Sequence, residues 1–255
     1  MIPALNDLLI VELSCLIFHE AHDPARLARV REEIADEGVQ RNPVIVAPYE
    51  DRYLLLDGAH RARALGELGC CFALVQLVEL PERAGSWGHL LDDVGLEEAL
   101  HSVEEVEVSE TEPERGWLAE ARFSGGEKLF ARAREEGIAS AVRALWALRK
   151  AYPEGGVVRR VDPGRPIGPA AGEAVLFYCR FTPAELAEVV SVGEVLPAGV
   201  TRFIVEERVL GVRYPLGLLE KGEPAARNTE LREFVRRYWQ GGRVRYYAEP
   251  VILFE

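Results

Sequence analysis

Residues 53–65 read Tyr-Leu-Leu-Leu-Asp-Gly-Ala-His-Arg-Ala-Arg-Ala-Leu: an apolar strand that stops at Asp57, turns at Gly58 and runs into a helix carrying His60, Arg61 and Arg63 in its first turns. The start of a helix exposes unpaired N–H groups and the positive end of its dipole, which suits it to phosphate. One histidine and two arginines add charge-assisted donors, and Asp57 stands where a divalent cation would sit beside phosphates. The same residues also fit an ordinary strand–turn–helix junction with solvated arginines.

Three further places carry usable chemistry. Glu20 follows His19 in a loop just before a helix, where a carboxylate either takes a proton from a substrate hydroxyl or simply favours the helix dipole. Ser86-Trp87-Gly88-His89 follows a strand; Trp87 either walls a pocket or is a buried structural tryptophan, and His89 is a candidate for a carboxylate or phosphate. Thr201-Arg202 follows a Pro-Ala-Gly loop, and its arginine either reaches a substrate or lies exposed on a strand edge. Arg159 and Arg160 read as solvated surface.

Taken in order, the motifs are Phe18-His19-Glu20, a helix, Asn42-Pro43-Val44-Ile45-Val46, Leu55-Leu56-Asp57-Gly58-Ala59-His60-Arg61, and Ser86-Trp87-Gly88-His89. This pattern resembles the ParB/sulfiredoxin-like superfamily, and within it the free L-serine kinases, including the siderophore-linked branch that makes O-phospho-L-serine. The resemblance is strongest over residues 10–90 and looser, though continuous, to the C-terminus. It implies a kinase that moves a phosphoryl group from ATP or ADP to the hydroxyl of free L-serine. It further implies Glu20 as the catalytic base with His19 beside it, and Gly58, Ala59, His60, Arg61 and Arg63 at the nucleotide phosphates. Asp57 would be the Mg²⁺ anchor, and Trp87, His89, Thr201 and Arg202 would contact substrate between two lobes. Sulfiredoxin's reactive cysteine would occupy the slot held here by Ala59, which excludes that chemistry. The rival is a non-enzymatic ParB-like regulator that binds nucleotide; it predicts consecutive short helices and a basic face in the C-terminal half.

The elements that must position these residues are legible in part. Residues 10–17 read as a strand. Asp23-Pro24 starts a helix with apolar residues at Leu27, Val30 and Ile34, and Gly38 ends it. Residues 44–47 and 53–56 flank a polar turn as a hairpin. The helix after Gly58 buries Ala62, Leu65 and Leu68 and stops at Gly69, and residues 72–80 form a long strand. Beyond an acidic stretch holding a short strand at 104–108, residues 117–123 and 128–133 make a second hairpin. Residues 138–152 form an amphipathic helix closed by Pro153-Glu154-Gly155-Gly156. A strand at 174–179 leads to the capping box Thr182-Pro183-Ala184-Glu185. A strand at 200–205, a helix capped by Asn228 and strands within 244–254 complete the chain. The fold class is α+β in two lobes; the resemblance implies a ParB/sulfiredoxin-like nucleotide-binding domain over residues 1–82 and a second mixed α/β lobe over residues 83–255 that completes the substrate site.

Bulk properties agree with a protein of one large or two ordinary domains. Of 255 residues, 48% are apolar, enough for a substantial core. No run approaches the ~20 apolar residues that span a bilayer, and the N-terminus lacks the basic start of a signal peptide, so the expected location is the cytoplasm. Residues 1–137 hold 13 basic against 28 acidic side chains, and residues 138–255 hold 17 against 14. So acidic a chain repels a DNA backbone unless one face is segregated, but it accepts a small nucleotide that brings its own metal. Cys15, Cys70, Cys71 and Cys179 lack metal-clamp spacing and read as reduced structural residues.

Overall fold

The computed structural model describes residues 2–114, 116–152, 158–162 and 168–248. The chain divides into two compact units, and the cut differs from the expected 1–82 and 83–255. One unit is built from the chain up to Leu16, Pro24–Glu79 and the segment beginning at Val205; the other from Ile17–Asp23 and Leu80–Ile204. The loop that carries His19 and Glu20 therefore belongs with the second unit.

In the first unit, β1 (Leu8–Glu12) is followed by a 3₁₀ turn at Leu13–Cys15 and β2 (Leu16–Ile17). The single strand expected over 10–17 is broken because β1 and β2 lie at opposite edges of one five-stranded sheet. Helix α1 (Pro24–Glu37) ends where Gly38 takes a left-handed φ of 64°. Next come β3 (Val39–Gln40), β4 (Val44–Tyr49), β5 (Arg52–Asp57), α2 (Ala59–Glu67) and β6 (Phe72–Leu77). The sheet runs β1-β6-β4-β5-β2, with β4 and β6 parallel and the β4–β5 hairpin antiparallel. Strands β4 and β6 read as near-continuous apolar runs because they are central, and Val44, Val46, Ala73, Leu74 and Val75 are fully buried. Strand β6 stops at Leu77, three residues short of expectation, where its pairing with Val46 of β4 ends.

The second unit holds β7 (Gly85–Ser86), β8 (Gly88–Asp92), α3 (Leu96–His101), β9 (Val106–Ser109), β10 (Trp117–Phe123), β11 (Lys128–Ala133), α4 (Ile138–Lys150), β12 (Arg159–Val161), β13 (Glu173–Tyr178), α5 (Pro183–Ser191) and β14 (Thr201–Arg202). Six of its strands form an antiparallel sheet in the order β12-β8-β13-β10-β11-β9. The β10–β11 hairpin and the Thr182–Glu185 capping box stand where the sequence puts them. Helix α4 buries Val142, Leu145 and Leu148, and the Trp146 indole N–H donates to the Val195 carbonyl at 2.8 Å. The Pro153–Gly156 stop lies outside the described residues. The strand expected at 200–205 shrinks to Thr201–Arg202, since its partner β7 has only two residues to offer.

The chain then returns to the first unit with β15 (Tyr214–Pro215), paired to β3, and α6 (Pro224–Gln240). Asn228 is not the cap of α6 but lies inside it, with Pro224 in the first turn. Its side-chain amide accepts from the Ile10 N–H at 2.9 Å and donates to the Ile10 carbonyl at 2.8 Å, covering the exposed edge of β1. Residues 244–248 are not strand, and the remainder of the expected terminal strands lies outside the described residues. No helix among the described residues is long and apolar enough to cross a membrane.

Candidate active site

In the second unit, Glu20 sits in a cradle made by the loop before β14. Its Oε1 accepts from the Thr201 N–H at 2.5 Å and from the Thr201 hydroxyl at 2.6 Å, and its Oε2 accepts from the Gly199 N–H at 3.1 Å. The backbone is pinned alongside: the Ala21 N–H donates to Leu196 O, and the Leu196 N–H to His19 O, both at 2.8 Å. Gly199 turns the loop with φ 82°, a conformation that side-chain-bearing residues resist. Burial raises the Glu20 pKa, and the three hydrogen bonds and the Arg160 charge offset that only in part.

His19 backs this cradle. Its Nε2 lies 2.9 Å from the Thr201 hydroxyl oxygen. With the hydroxyl proton given to the carboxylate, that oxygen accepts, so His19 carries its proton on Nε2. Burial lowers the His19 pKa from 6.5 to about 4, which keeps the ring neutral. The order is therefore His19 N–H to Thr201 O–H to Glu20 carboxylate, with the His19 ring edge-on to Phe203 at 5.8 Å.

Trp87, His89 and Arg202 come to the same loop. The β7–β14 pairing sets Thr201 opposite Ser86 and Arg202 opposite Gly85. The Arg202 guanidinium lies 4.4 Å from the Trp87 ring centroid and pairs with Asp162. His89 is only 1% exposed, with Nδ1 2.7 Å from the Tyr152 hydroxyl and Nε2 3.0 Å from the Gly199 carbonyl. Both ring nitrogens are thus engaged within the protein, which makes His89 a support for the Gly199 loop rather than a group offered to a ligand.

Arg160, read from the sequence as plain surface, belongs to this site. Its guanidinium stands 2.5 Å from where a side chain on residue 199 would begin, and its charge is felt at Glu20. Arg159 next to it points the other way, to Glu173, as alternation along β12 requires. Only a strand assignment at 159–161 would have separated the two arginines, and the local sequence gave none. Gly199, Tyr152 and Tyr178 were also missed, because none stands in a recognisable motif.

In the first unit, Gly58 takes φ 97° and no side chain caps the start of α2. Asp57 ends β5 and pairs with Arg208 at 2.5 Å and Arg61 at 3.9 Å. Burial works to raise the Asp57 pKa, but Arg61, Arg208 and the Gly58 N–H outweigh it and hold the carboxyl below its ordinary value. Arg61 also donates to the Pro43 carbonyl at 3.3 Å, while His60 and Arg63 follow on the same turns, half-buried. The segment carrying Arg208 is strapped beside this turn. Gln76 donates to Glu207 O and accepts from the Val209 N–H, and Asn42 accepts from the Gly211 N–H at 2.8 Å. That contact gives the Asn42-Pro43 motif its structural use, and Arg208 is a partner of Asp57 that no local pattern announced. No group of three or more His, Cys, Asp or Glu among the described residues could hold a metal unaided. The single ionised Asp57 fits a cation whose other ligands come from phosphate and water.

The class defined by this fold is a two-unit α+β protein whose first unit carries a strand–glycine–helix turn at Asp57-Gly58. No family model matches the chain. It is 26% identical over 250 residues to the ATP-dependent L-serine kinase SbnI of Staphylococcus aureus, covering 96% of each protein. A 62-residue stretch, 24% of this chain and 25% of the relative, is 42% identical to the ATP-dependent L-serine kinase of Staphylothermus marinus. Among solved structures, C-terminally truncated SbnI from Staphylococcus aureus superposes with a TM-score of 0.80 at 22% identity, covering 94% of this chain and 100% of that one. A free serine kinase in complex with AMP gives 0.63 at 22% identity, covering 84% and 93%. The chain is thus similar to the free L-serine kinases along almost its whole length and shares their fold.

Proposed function

We propose that this protein is a free L-serine kinase that transfers the terminal phosphoryl group of an adenine nucleotide to the serine hydroxyl, giving O-phospho-L-serine. The observation that carries the reading is the Glu20 cradle, found at the His-Glu motif of a chain similar throughout to serine kinases. Of the two carboxylate oxygens, Oε1 accepts two hydrogen bonds and Oε2 one among the described residues. Oε2 is therefore the oxygen assigned to take the serine hydroxyl proton as the oxygen attacks phosphorus. A carboxylate with a raised pKa holds that proton better than an ordinary one. Arg160, Arg202 and the Trp87 face are assigned to the amino acid, since a free serine presents a carboxylate that an arginine recognises well.

The nucleotide phosphates are assigned to the start of α2, with Gly58 and Ala59 giving close backbone approach and His60, Arg61 and Arg63 giving cationic donors. Asp57 would hold Mg²⁺, which neutralises phosphate charge during transfer. ATP is favoured as donor because the two curated relatives are named ATP-dependent. The product is an activated serine fit for cysteine-type or siderophore assembly, and the expected setting is the cytoplasm. Incubation with L-serine, Mg²⁺ and either ATP or ADP, with mass detection of phosphoserine, tests the reading. Formation by the wild type and its loss in Glu20→Ala supports it; nucleotide binding with no phosphoserine from either donor overturns it.

A further inference from the structure

Behind the Gly199 loop lies a buried chain of side chains that the kinase reading does not use. The Tyr178 and Tyr152 hydroxyls are hydrogen-bonded, Tyr152 Oη lies 2.7 Å from His89 Nδ1, and His89 Nε2 lies 3.0 Å from the Gly199 carbonyl. Every proton in this chain has a fixed direction. A carbonyl only accepts, so Nε2 carries the hydrogen; a neutral imidazole has one, so Nδ1 accepts from Tyr152; and Tyr152, having given its proton, accepts from Tyr178. The charge states agree with that order. His89 is held neutral, its pKa lowered to about 4 by burial and by the Arg149 and Arg160 charges. The Tyr178 pKa is pushed up to about 12, chiefly by burial, so its hydroxyl stays a donor.

The chain ends on the residue that matters for the base. Gly199 gives its N–H to Glu20 and its carbonyl to His89, so one glycine is held from both sides. We infer that His89, Tyr152 and Tyr178 are positioning residues for Glu20, holding the Gly199–Thr201 cradle in register through the Gly199 carbonyl. This goes beyond the kinase reading and rests on it only for the identity of the proton that Glu20 accepts.

The consequence has a sign. Hydrogen bonds to an ionised carboxylate lower its pKa, so a cradle that drifts away leaves Glu20 more basic. The charged and titratable groups around the chain are Arg160 at Glu20, His19 behind Thr201, Arg149 over the Tyr152 ring at 4.3 Å, and Cys179 beside Tyr178. None of these is altered by removing a tyrosine hydroxyl. Tyr152→Phe keeps the ring and its packing but leaves His89 Nδ1 without its donor, so the imidazole is held by the Gly199 carbonyl alone and its ring and the loop are free to shift.

The test is a carbon-13 NMR titration of the Glu20 carboxyl, assigned with Glu20→Gln, in the wild type, Tyr152→Phe and Tyr178→Phe. It is run beside pH profiles of phosphoserine formation. The expected result is a Glu20 pKa higher by roughly half a pH unit in Tyr152→Phe and by less in Tyr178→Phe. The acid limb of kcat should move with it, while KM for the nucleotide stays put. An unchanged Glu20 titration in Tyr152→Phe overturns the inference whatever the activity does. The expected NMR shift in a wild-type background that makes no phosphoserine would keep the positioning chain and remove the kinase reading instead.

Discussion

The two units use a carboxylate in opposite ways. Glu20 in the second unit is held by neutral donors, two backbone N–H groups and a hydroxyl, and burial raises its pKa. Asp57 in the first unit is partly desolvated, yet Arg61 and Arg208 pull its pKa below the ordinary value. Neutral donors orient a carboxylate without fixing its charge, which leaves it able to take a proton. Guanidinium partners fix the charge, which suits an anchor for a cation or a ligand of constant sign. The same residue class thus has its pKa raised in one place and lowered in the other, and the neighbours decide which.

This contrast can be broken most sharply at Glu20. Glu20→Ala should lower phosphoserine formation by about 10²- to 10⁴-fold, the range typical of a lost general base, while nucleotide affinity measured by calorimetry stays near wild type. Arg61→Ala should do the reverse, weakening nucleotide binding by roughly 10- to 100-fold, as loss of a charge-assisted contact does, with the Glu20 titration unmoved. If both variants lost binding equally, the separate roles proposed for Glu20 and Arg61 would be wrong.

Thr201→Val sharpens the comparison at smaller amplitude. It keeps a β-branched side chain on β14 but removes one of the donors to Glu20 Oε1. The Glu20 pKa should rise further and the acid limb of the rate profile should move to higher pH, with kcat falling about tenfold on the scale of one buried hydrogen bond. A pH profile identical to wild type would show that the hydroxyl is only structural.

Stability should also report the contrast. His19 and His89 are buried neutral, with pKa values lowered from 6.5 to about 4. The unfolded chain therefore binds more protons than the folded one between those limits, and stability falls as pH drops through that window. His19→Gln should flatten part of this slope in thermal melts, and His89→Gln another part. Asp57 has a depressed pKa, so its contribution is present above the ordinary value of 3.8 and is lost as pH falls below it. The difference in melting temperature between Asp57→Asn and wild type should therefore be largest near neutrality and shrink in acid, the smallest effect of the set because the side chain is 43% exposed.

Local signals read well where one stretch of chain carries the whole feature. The Asp57–Arg63 turn, the β10–β11 hairpin and the Thr182–Glu185 capping box are each contiguous, and each stands where its residues put it. Signals misled where the decision was made elsewhere. Asn228 looks like a helix cap but is used on Ile10, more than two hundred residues away. Residues 10–17 look like one strand but must serve both edges of a sheet. The cluster around Glu20 in the second unit is assembled from residues 19–20, 87–89, 152, 160, 178 and 199–202, and no spacing along the chain foretells that His89 faces Gly199.

The sequence by itself determined that this is an α+β chain with a strand–glycine–helix turn at Asp57-Gly58 and a carboxylate at the His19-Glu20 motif. Backbone preference, helix-end electrostatics and residue chemistry act over a few neighbours and can be read in order. Only the tertiary structure decided what each charged group would do. It gave Glu20 neutral donors from the Gly199–Thr201 loop, gave Asp57 an arginine from the returning Arg208 segment, and turned His89 inward to hold Gly199. Protonation depends on burial and on which dipoles and charges lie within a few ångströms, and in this chain those neighbours come from segments as far apart as residues 20 and 201.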